Sequence, residues 1–157
     1  MKERGAERVA IAHAAAALSF AAACLHGSVM VTHFREYWLF GLFFAIVTPL
    51  QIVWAELVRR RPGDRGLLAI GGAGNLSIAL VWLVSRTVGL PFGPERLRAE
   101  AVGVKDVLAT WDEVWLATLV ATLLLSAAAR PAPRWSIVCA WGLAAASLVA
   151  ALVAGSH

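Results

Sequence analysis

Histidine, methionine and carboxylate side chains recur at helical spacing in two apolar stretches of this sequence. His26, Met30 and His33 are four and three residues apart, so they project from one side of a helix. Imidazole, thioether and carboxylate groups together are ligands for a transition metal such as copper, iron or zinc. We therefore predict a metal site formed by six residues of two helices: His26, Met30, His33, Glu36, Asp106 and Glu113.

The same groups are compatible with other occupants. Histidines also ligate haem, and a quinone or a lipid headgroup would use similar hydrogen-bonding partners. Because a polar group at membrane depth is costly unless it is paired, a purely structural network is a further alternative. Four more residues are assigned to such a network or to a ligand site: Tyr37, Gln51, Asn75 and Arg86.

Catalysis has less support in the sequence. It contains no phosphate-binding glycine loop followed by Lys, no Gly-x-Ser-x-Gly turn and no His-Glu-x-x-His. An intramembrane enzyme with His33, Glu36 and Asp106 as acid–base groups remains an alternative, but we predict no catalytic residue. Asp112 lies between Trp111 and Trp115 in a pattern that we interpret as an anchor of its helix at the membrane interface.

The elements that must position these residues are apolar helices. The chain is 60% hydrophobic and only 15% charged, whereas a soluble domain carries about 25% charged residues. Runs of about twenty apolar residues are long enough to cross a bilayer. We predict an all-α integral membrane helical bundle, with residues 1–157 as a single transmembrane domain and spans near 9–31, 38–58, 67–85, 107–128 and 135–154.

The distribution of Lys and Arg predicts the orientation. One side of the predicted membrane has nine of them and the other side has five, so the first side is cytoplasmic and includes the N-terminus. The same rule accounts for the net charge of +4, and we predict no nucleic-acid partner. The protein is expected in the plasma membrane, such as a bacterial inner membrane. The nine residues are Lys2, Arg4, Arg8, Arg59, Arg60, Arg61, Arg65, Arg130 and Arg134.

Two features concern the first span and its neighbours. Ala21 to Cys24 weakly matches a lipoprotein cleavage box, and cleavage would leave four spans, but the apolar run continues to Val31. Small residues at three-and-four spacing predict that the first and last helices pack closely. They are Ala10, Ala14, Ala17 and Ala21 in the first, and Ala140, Ala144, Ser147 and Ala151 in the last.

The outer loop, residues 86–105, contains Gly-Leu-Pro-Phe-Gly-Pro at 89–94. So many turn formers exclude a continuous helix, and the apolar residues among them would lie back on the bundle as a lid. This motif, the preceding Ser85-Arg86-Thr87 and the segment His33-Phe34-Arg35-Glu36-Tyr37-Trp38 resemble a group of small uncharacterised bacterial multi-pass membrane proteins. The resemblance implies one recurrent arrangement of outer polar residues and no particular activity.

Three functions fit these observations. The leading prediction is a small membrane protein that binds a metal ion or haem in an outer pocket, for metal handling or electron transfer. The first alternative is a non-catalytic accessory or assembly subunit of a larger membrane complex, or a homo-oligomer, associated through small-residue faces. The second is an oligomeric transporter or channel, which predicts that Gln51, Asn75 and Pro49 line a continuous polar track.

Overall fold

The computed structural model of the protein describes residues 2–125 and 134–153, most of which lie in five α-helices. Each helix is long and apolar enough to cross a membrane, judged by length and composition. The prediction of an all-helical bundle with five candidate spans is therefore confirmed for the described residues, whereas the predicted ends at 128 and 154, and Arg130, lie outside them. The helices are α1 (Lys2–Glu36), α2 (Trp38–Arg60), α3 (Arg65–Thr87), α4 (Val104–Leu125) and α5 (Arg134–Val153).

Helix α1 is longer than the predicted span at both ends. Its 35 residues extend over roughly 52 Å at 1.5 Å per residue, more than the roughly 30 Å of a hydrocarbon core. The apolar run ends at Val31, but the helix continues to Glu36, because the first break in the backbone is the extended conformation of Tyr37. Apolarity therefore sets a span, while backbone conformation sets where the helix ends.

Helix α1 is the centre of the bundle. It packs against α2, α4 and α5, and α3 packs mainly on α4. Alanine side chains let the neighbouring helices approach closely. The predicted contact between the first and last helices is confirmed, since Ala14 and Ala21 of α1 and Ala140 and Ala144 of α5 are all buried where these helices meet.

Helices α2 and α3 touch only over part of their length. The Trp54 indole Nε1 donates to the carbonyl oxygen of Leu67 at 2.7 Å, and a Cβ atom on Gly71 would collide with the Trp54 ring. We call the other end of the bundle, where α1 and α3 end and α2 and α4 begin, the loop end. There the two helices diverge, and a cavity lies between them.

The connection between α3 and α4, residues 88–103, covers the loop end. Gly89 and Gly93 have φ values of +83° and +101°, a region that L side chains rarely adopt. A Cβ atom on Gly93 would also lie 2.8 Å from Cζ of Phe40, so glycine lets this segment, which we call loop 88–103, approach α2. The prediction of a non-helical segment that lies back on the bundle is confirmed.

The opposite end of the bundle is held by helix caps. The Asp64 carboxylate accepts a hydrogen bond from the Leu67 backbone N–H at 3.0 Å, which caps α3 and typically contributes about 1 kcal/mol. Arg8 and Arg65 donate to the carbonyl oxygens of Leu123 and Leu124 at 3.0 and 2.9 Å. These carbonyls belong to the last described turn of α4. The arginines thus join α1 and α3 to the end of α4.

Candidate functional site

The cavity at the loop end has a volume of about 290 Å³. Helices α1 to α4 surround it and loop 88–103 covers it. Pockets for small organic ligands begin at roughly this size and are mostly apolar with a few polar groups. The apolar walls come from α2 and α3 and from the loop, and they include Phe40, Phe43, Phe44, Ile78, Val81, Trp82, Leu90 and Phe92.

A buried histidine and a buried glutamate form the deep end of this cavity. Nε2 of His26 lies 2.9 Å from Oε1 of Glu113, and the two residues are 6% and 1% exposed. His26 is ten residues before the end of α1 and Glu113 is nine residues after the start of α4, so both lie roughly 15 Å from the loop end. The prediction that these residues lie at a similar depth is confirmed.

Two amides extend this pair into a network across the bundle. Nε2 of Gln51 donates to Oδ1 of Asn75 at 2.9 Å and lies 3.4 Å from Oε1 of Glu113. Nδ2 of Asn75 donates to the carbonyl oxygen of Gly71 at 2.9 Å. The predicted hydrogen bond between the second and third helices is therefore confirmed, and it lies directly beneath the cavity.

The rim of the cavity is an ion-pair cluster. Arg86, whose side chain is 9% exposed, bonds Asp106 at 2.8 Å and also pairs with Glu100 of loop 88–103. The Glu100 backbone N–H donates to the carbonyl oxygen of Ser85 at 3.0 Å, and Nζ of Lys105 donates to Ser28 Oγ at 3.1 Å. The prediction that Arg86 neutralises a carboxylate of the fourth helix is confirmed, and the same arginine fixes the loop.

The six predicted metal ligands fall into separate groups. His26 pairs with Glu113, Asp106 pairs with Arg86, and Nδ1 of His33 lies 2.8 Å from Oε2 of Glu36 near the surface. Met30 is half-buried and does not line the cavity. Within residues 2–125 and 134–153, no three His, Cys, Asp or Glu side chains come together in a way that could hold a metal ion. The metal or haem site stays a prediction.

The two imidazoles lie on either side of one aromatic ring. The ring centre of Phe44 is 5.1 Å from that of His26 and 4.7 Å from that of His33. Both histidines line the cavity, but His33 interacts with its own helix through Glu36. Tyr37, predicted as part of the network, instead precedes α2 and packs against Trp38 and Phe40.

His26 has one ring nitrogen outside its bond to Glu113. Its Nε2 is bonded to Glu113, and no hydrogen bond from the described residues involves Nδ1. A carboxylate at Nε2 stabilises the tautomer with the proton on that nitrogen, which leaves Nδ1 as an acceptor. Because His26 lines the cavity, its imidazole can accept a hydrogen bond there from a hydroxyl group of a ligand.

The sequence interpretation missed the aromatic walls and misplaced Asp112. Phe40, Phe43 and Phe44 follow helical spacing, a pattern that could have indicated one aromatic face pointing into the bundle. Asp112, interpreted as an interface anchor, is 0% exposed inside the bundle. The interpretation was wrong because Trp111 is on the exposed face of α4, and Asp112 is about 100° further around the helix.

No protein-family model, curated protein or solved structure matches the chain. The resemblance to small bacterial multi-pass membrane proteins therefore stays a prediction. We infer function from the pocket alone.

Proposed function

We propose that the protein is a multi-pass protein of the plasma membrane that binds one uncharged, quinone-like amphiphile in the cavity at the loop end. The observation that carries this proposal is a cavity of about 290 Å³ with aromatic walls that ends on the buried pair His26 and Glu113. In this proposal the N-terminus is cytoplasmic, by the arginine distribution, and the loop end faces the outer leaflet.

The surface of the bundle supports a bilayer as its surroundings. Leu50 of α2, Ile70 of α3 and Leu152 of α5 are 62%, 73% and 78% exposed, and many other large apolar side chains are exposed with them. A soluble monomer rarely exposes apolar patches beyond a few hundred Å². Lipid tails are the partner that this surface fits.

The charge around the cavity favours an uncharged ligand. At the rim, the cations Arg86 and Lys105 are balanced by the carboxylates of Glu100 and Asp106. At the floor, Glu113 is the only carboxylate, and it already accepts from His26 and Gln51. An anionic headgroup would find no unpaired cluster of cations here, and entry of a charged group into the apolar part would cost several kcal/mol.

The walls and the floor together favour a planar ring with a polar edge. Phe43, Phe44 and Trp82 offer aromatic surfaces, against which a ring packs favourably. Nδ1 of His26 and the hydroxyl of Thr110 offer hydrogen bonds at the cavity surface. The hydroxyl of a quinol can donate to Nδ1, and the carbonyl oxygen of a quinone can accept from Thr110.

The position of the cavity favours a ligand that comes from the membrane. Helices α2 and α3 meet at Trp54 and Gly71 but diverge at the loop end, so the cavity lies behind the gap between them. Val81 lines the cavity and is 43% exposed, so the cavity is not closed at this point of α3. A lipophilic molecule can therefore enter sideways, with its tail left in the lipid.

The test is a binding measurement with decylubiquinone on the purified full chain, by native mass spectrometry and by titration in nanodiscs. Ala109 is 4% exposed and lines the cavity, so Ala109→Leu fills it, and we expect at least about a tenfold weaker affinity. Ala117→Leu makes the same change on α4 away from the cavity and should leave affinity unchanged. Equal affinity for both variants, or no binding to the unaltered protein, would contradict the proposal.

The metal prediction is tested on the same preparation. Elemental analysis and a visible spectrum are recorded for the unaltered protein and for the double variant His26→Ala, His33→Ala. Stoichiometric metal or a haem band that disappears in the double variant would replace the quinone proposal. Metal-free protein that binds decylubiquinone would support it.

A further inference from the structure

The other acidic residue in the middle of α4, Asp112, lies outside the pocket. It is 0% exposed, and neither of its carboxyl oxygens has a hydrogen-bond partner among the described residues. The hydroxyl of Ser147 on α5 faces it, is also 0% exposed, and likewise makes no hydrogen bond of acceptable geometry. Two fully buried polar side chains thus lie next to each other between α4 and α5 without forming a hydrogen bond.

A charged carboxylate is not compatible with this position. An ionised carboxyl group in apolar surroundings needs a cation or several donors, and otherwise takes up a proton. The described part of α5 has one cation, Arg134, thirteen residues before Ser147 and thus roughly 20 Å away along the helix. At this depth the titratable groups of α1 are Cys24, which cannot carry a positive charge, and His26, which is bonded to Glu113.

Glu113 is a second reason why Asp112 does not carry a charge. It is the adjacent residue and interacts electrostatically with Asp112, so two negative charges here would repel each other. Glu113 has donors in His26 and Gln51, whereas no hydrogen bond from the described residues reaches Asp112. Of the two acids, Glu113 is therefore the one whose surroundings can stabilise a negative charge.

From this geometry we infer that Asp112 is a proton-binding site, a neutral carboxylic acid held between α4 and α5 and separate from the ligand pocket. The inference does not depend on the ligand of the pocket. It predicts a protonated carboxyl group inside the bundle that reacts with hydrophobic carbodiimides. In that reaction the carboxyl O–H adds across a C=N bond of the reagent, and the adduct rearranges to a stable N-acylurea with no leaving group.

The experiment has two readouts on the detergent-purified full chain. The first is difference infrared spectroscopy, which needs no reagent access. We expect a carboxylic-acid carbonyl band that is present in the unaltered protein and in Glu113→Gln and is lost in Asp112→Asn. The second is labelling with dicyclohexylcarbodiimide followed by peptide mass spectrometry. The adduct is expected at Asp112, not at Glu113, and absent from Asp112→Asn.

Folding controls keep the result interpretable. Asp112→Asn replaces a neutral acid by a neutral amide of the same shape, so helical content and elution volume should be unchanged. An unchanged infrared band in Asp112→Asn would overturn the inference. Protection from labelling by sodium chloride but not by choline chloride would also overturn it, because the occupant would then be a sodium ion and not a proton.

Discussion

Asp112 and Glu113 are neighbours in the sequence and equally buried, yet their surroundings differ completely. Glu113 faces the pocket, where it lies 2.9 Å from His26 and 3.4 Å from the Gln51 amide. Asp112 faces α5, where no described residue donates to it. A single step of about 100° around α4 thus separates an acid with donors from an acid without any. Burial alone does not say what a polar group does; its partners do.

The largest difference in stability loss, between removing a group that has hydrogen-bond partners and removing one that has none, is expected at these two acids. Glu113→Ala leaves buried His26 without its partner and removes one of the two acceptors of the Gln51 amide, so we expect the free energy of unfolding to fall by about 3 kcal/mol. Asp112→Ala removes no hydrogen bond and should cost less than half as much. Both values can be measured by denaturant unfolding in mixed micelles. Equal losses would show that the donors around Glu113 contribute nothing.

The next effect is expected at the rim of the pocket. Arg86→Ala removes the cation shared by Asp106 and Glu100, which should lower the free energy of unfolding by about 2 kcal/mol. It should also make loop 88–103 sensitive to limited proteolysis. The matched control is Arg98→Ala in the same loop, whose side chain is exposed and should matter by less than about 0.5 kcal/mol. If loop 88–103 of Arg86→Ala resisted the protease, the ion pairs of Arg86 would not be what fixes this loop.

A smaller effect is expected for the amide beneath the pocket. Gln51→Leu removes the donor to Asn75 and should lower the free energy of unfolding by about 1 to 2 kcal/mol. Thr48, one turn earlier on α2, has a buried hydroxyl with no hydrogen-bond partner in the described part of the chain. Thr48→Val keeps its shape and should change stability by less than about 0.5 kcal/mol. The test is thermal unfolding followed by circular dichroism, in which Gln51→Leu should be less stable than Thr48→Val.

The smallest effect on stability is expected for two serines, Ser19 and Ser147, which are both 0% exposed. Ser19 Oγ donates to the Gln51 carbonyl oxygen at 3.1 Å, and Ser147 Oγ makes no hydrogen bond with a described residue. Ser19→Ala should cost about 1 kcal/mol, and Ser147→Ala should be close to neutral. A loss at Ser147 as large as that at Ser19 would mean that Ser147 bonds Asp112 in solution.

The helices and their approximate ends could be predicted because they depend on local features. An apolar run marks each candidate span, and Pro62, Gly63 and Asp64 mark the turn between α2 and α3. The pairing of Arg86 with Asp106 also follows from position, since one residue ends α3 and the other begins α4. Such predictions need only the depth of a residue in the bundle.

The cavity could not be predicted, because it depends on which helices pack together. Divergence of α2 from α3 follows from close contact at Trp54 and Gly71 and from the packing of α3 on α4, and no local pattern encodes that combination. For the same reason the contact that His33 makes could not be singled out from the predicted set. Its spacing places it on the same helix face as His26, and its hydrogen-bond partner is Glu36, one turn away.

The predicted polar track also depends on helix rotation. Gln51 is buried and bonded to Asn75, but Pro49 is on the exposed face of α2. The first and last helices use their small residues on each other, so these faces are occupied within one chain. Rotation about the helix axis is set by long-range packing, which a single sequence does not reveal.

The central position of α1 bears on how the protein is made. Among the five helices, the one that three of the other four pack against leaves the ribosome before the others. Each later helix can therefore pack on a helix that is already made, with α2 first, then α4 together with α3, and α5 after them. Biosynthesis in sequence order would build this bundle from its centre outward.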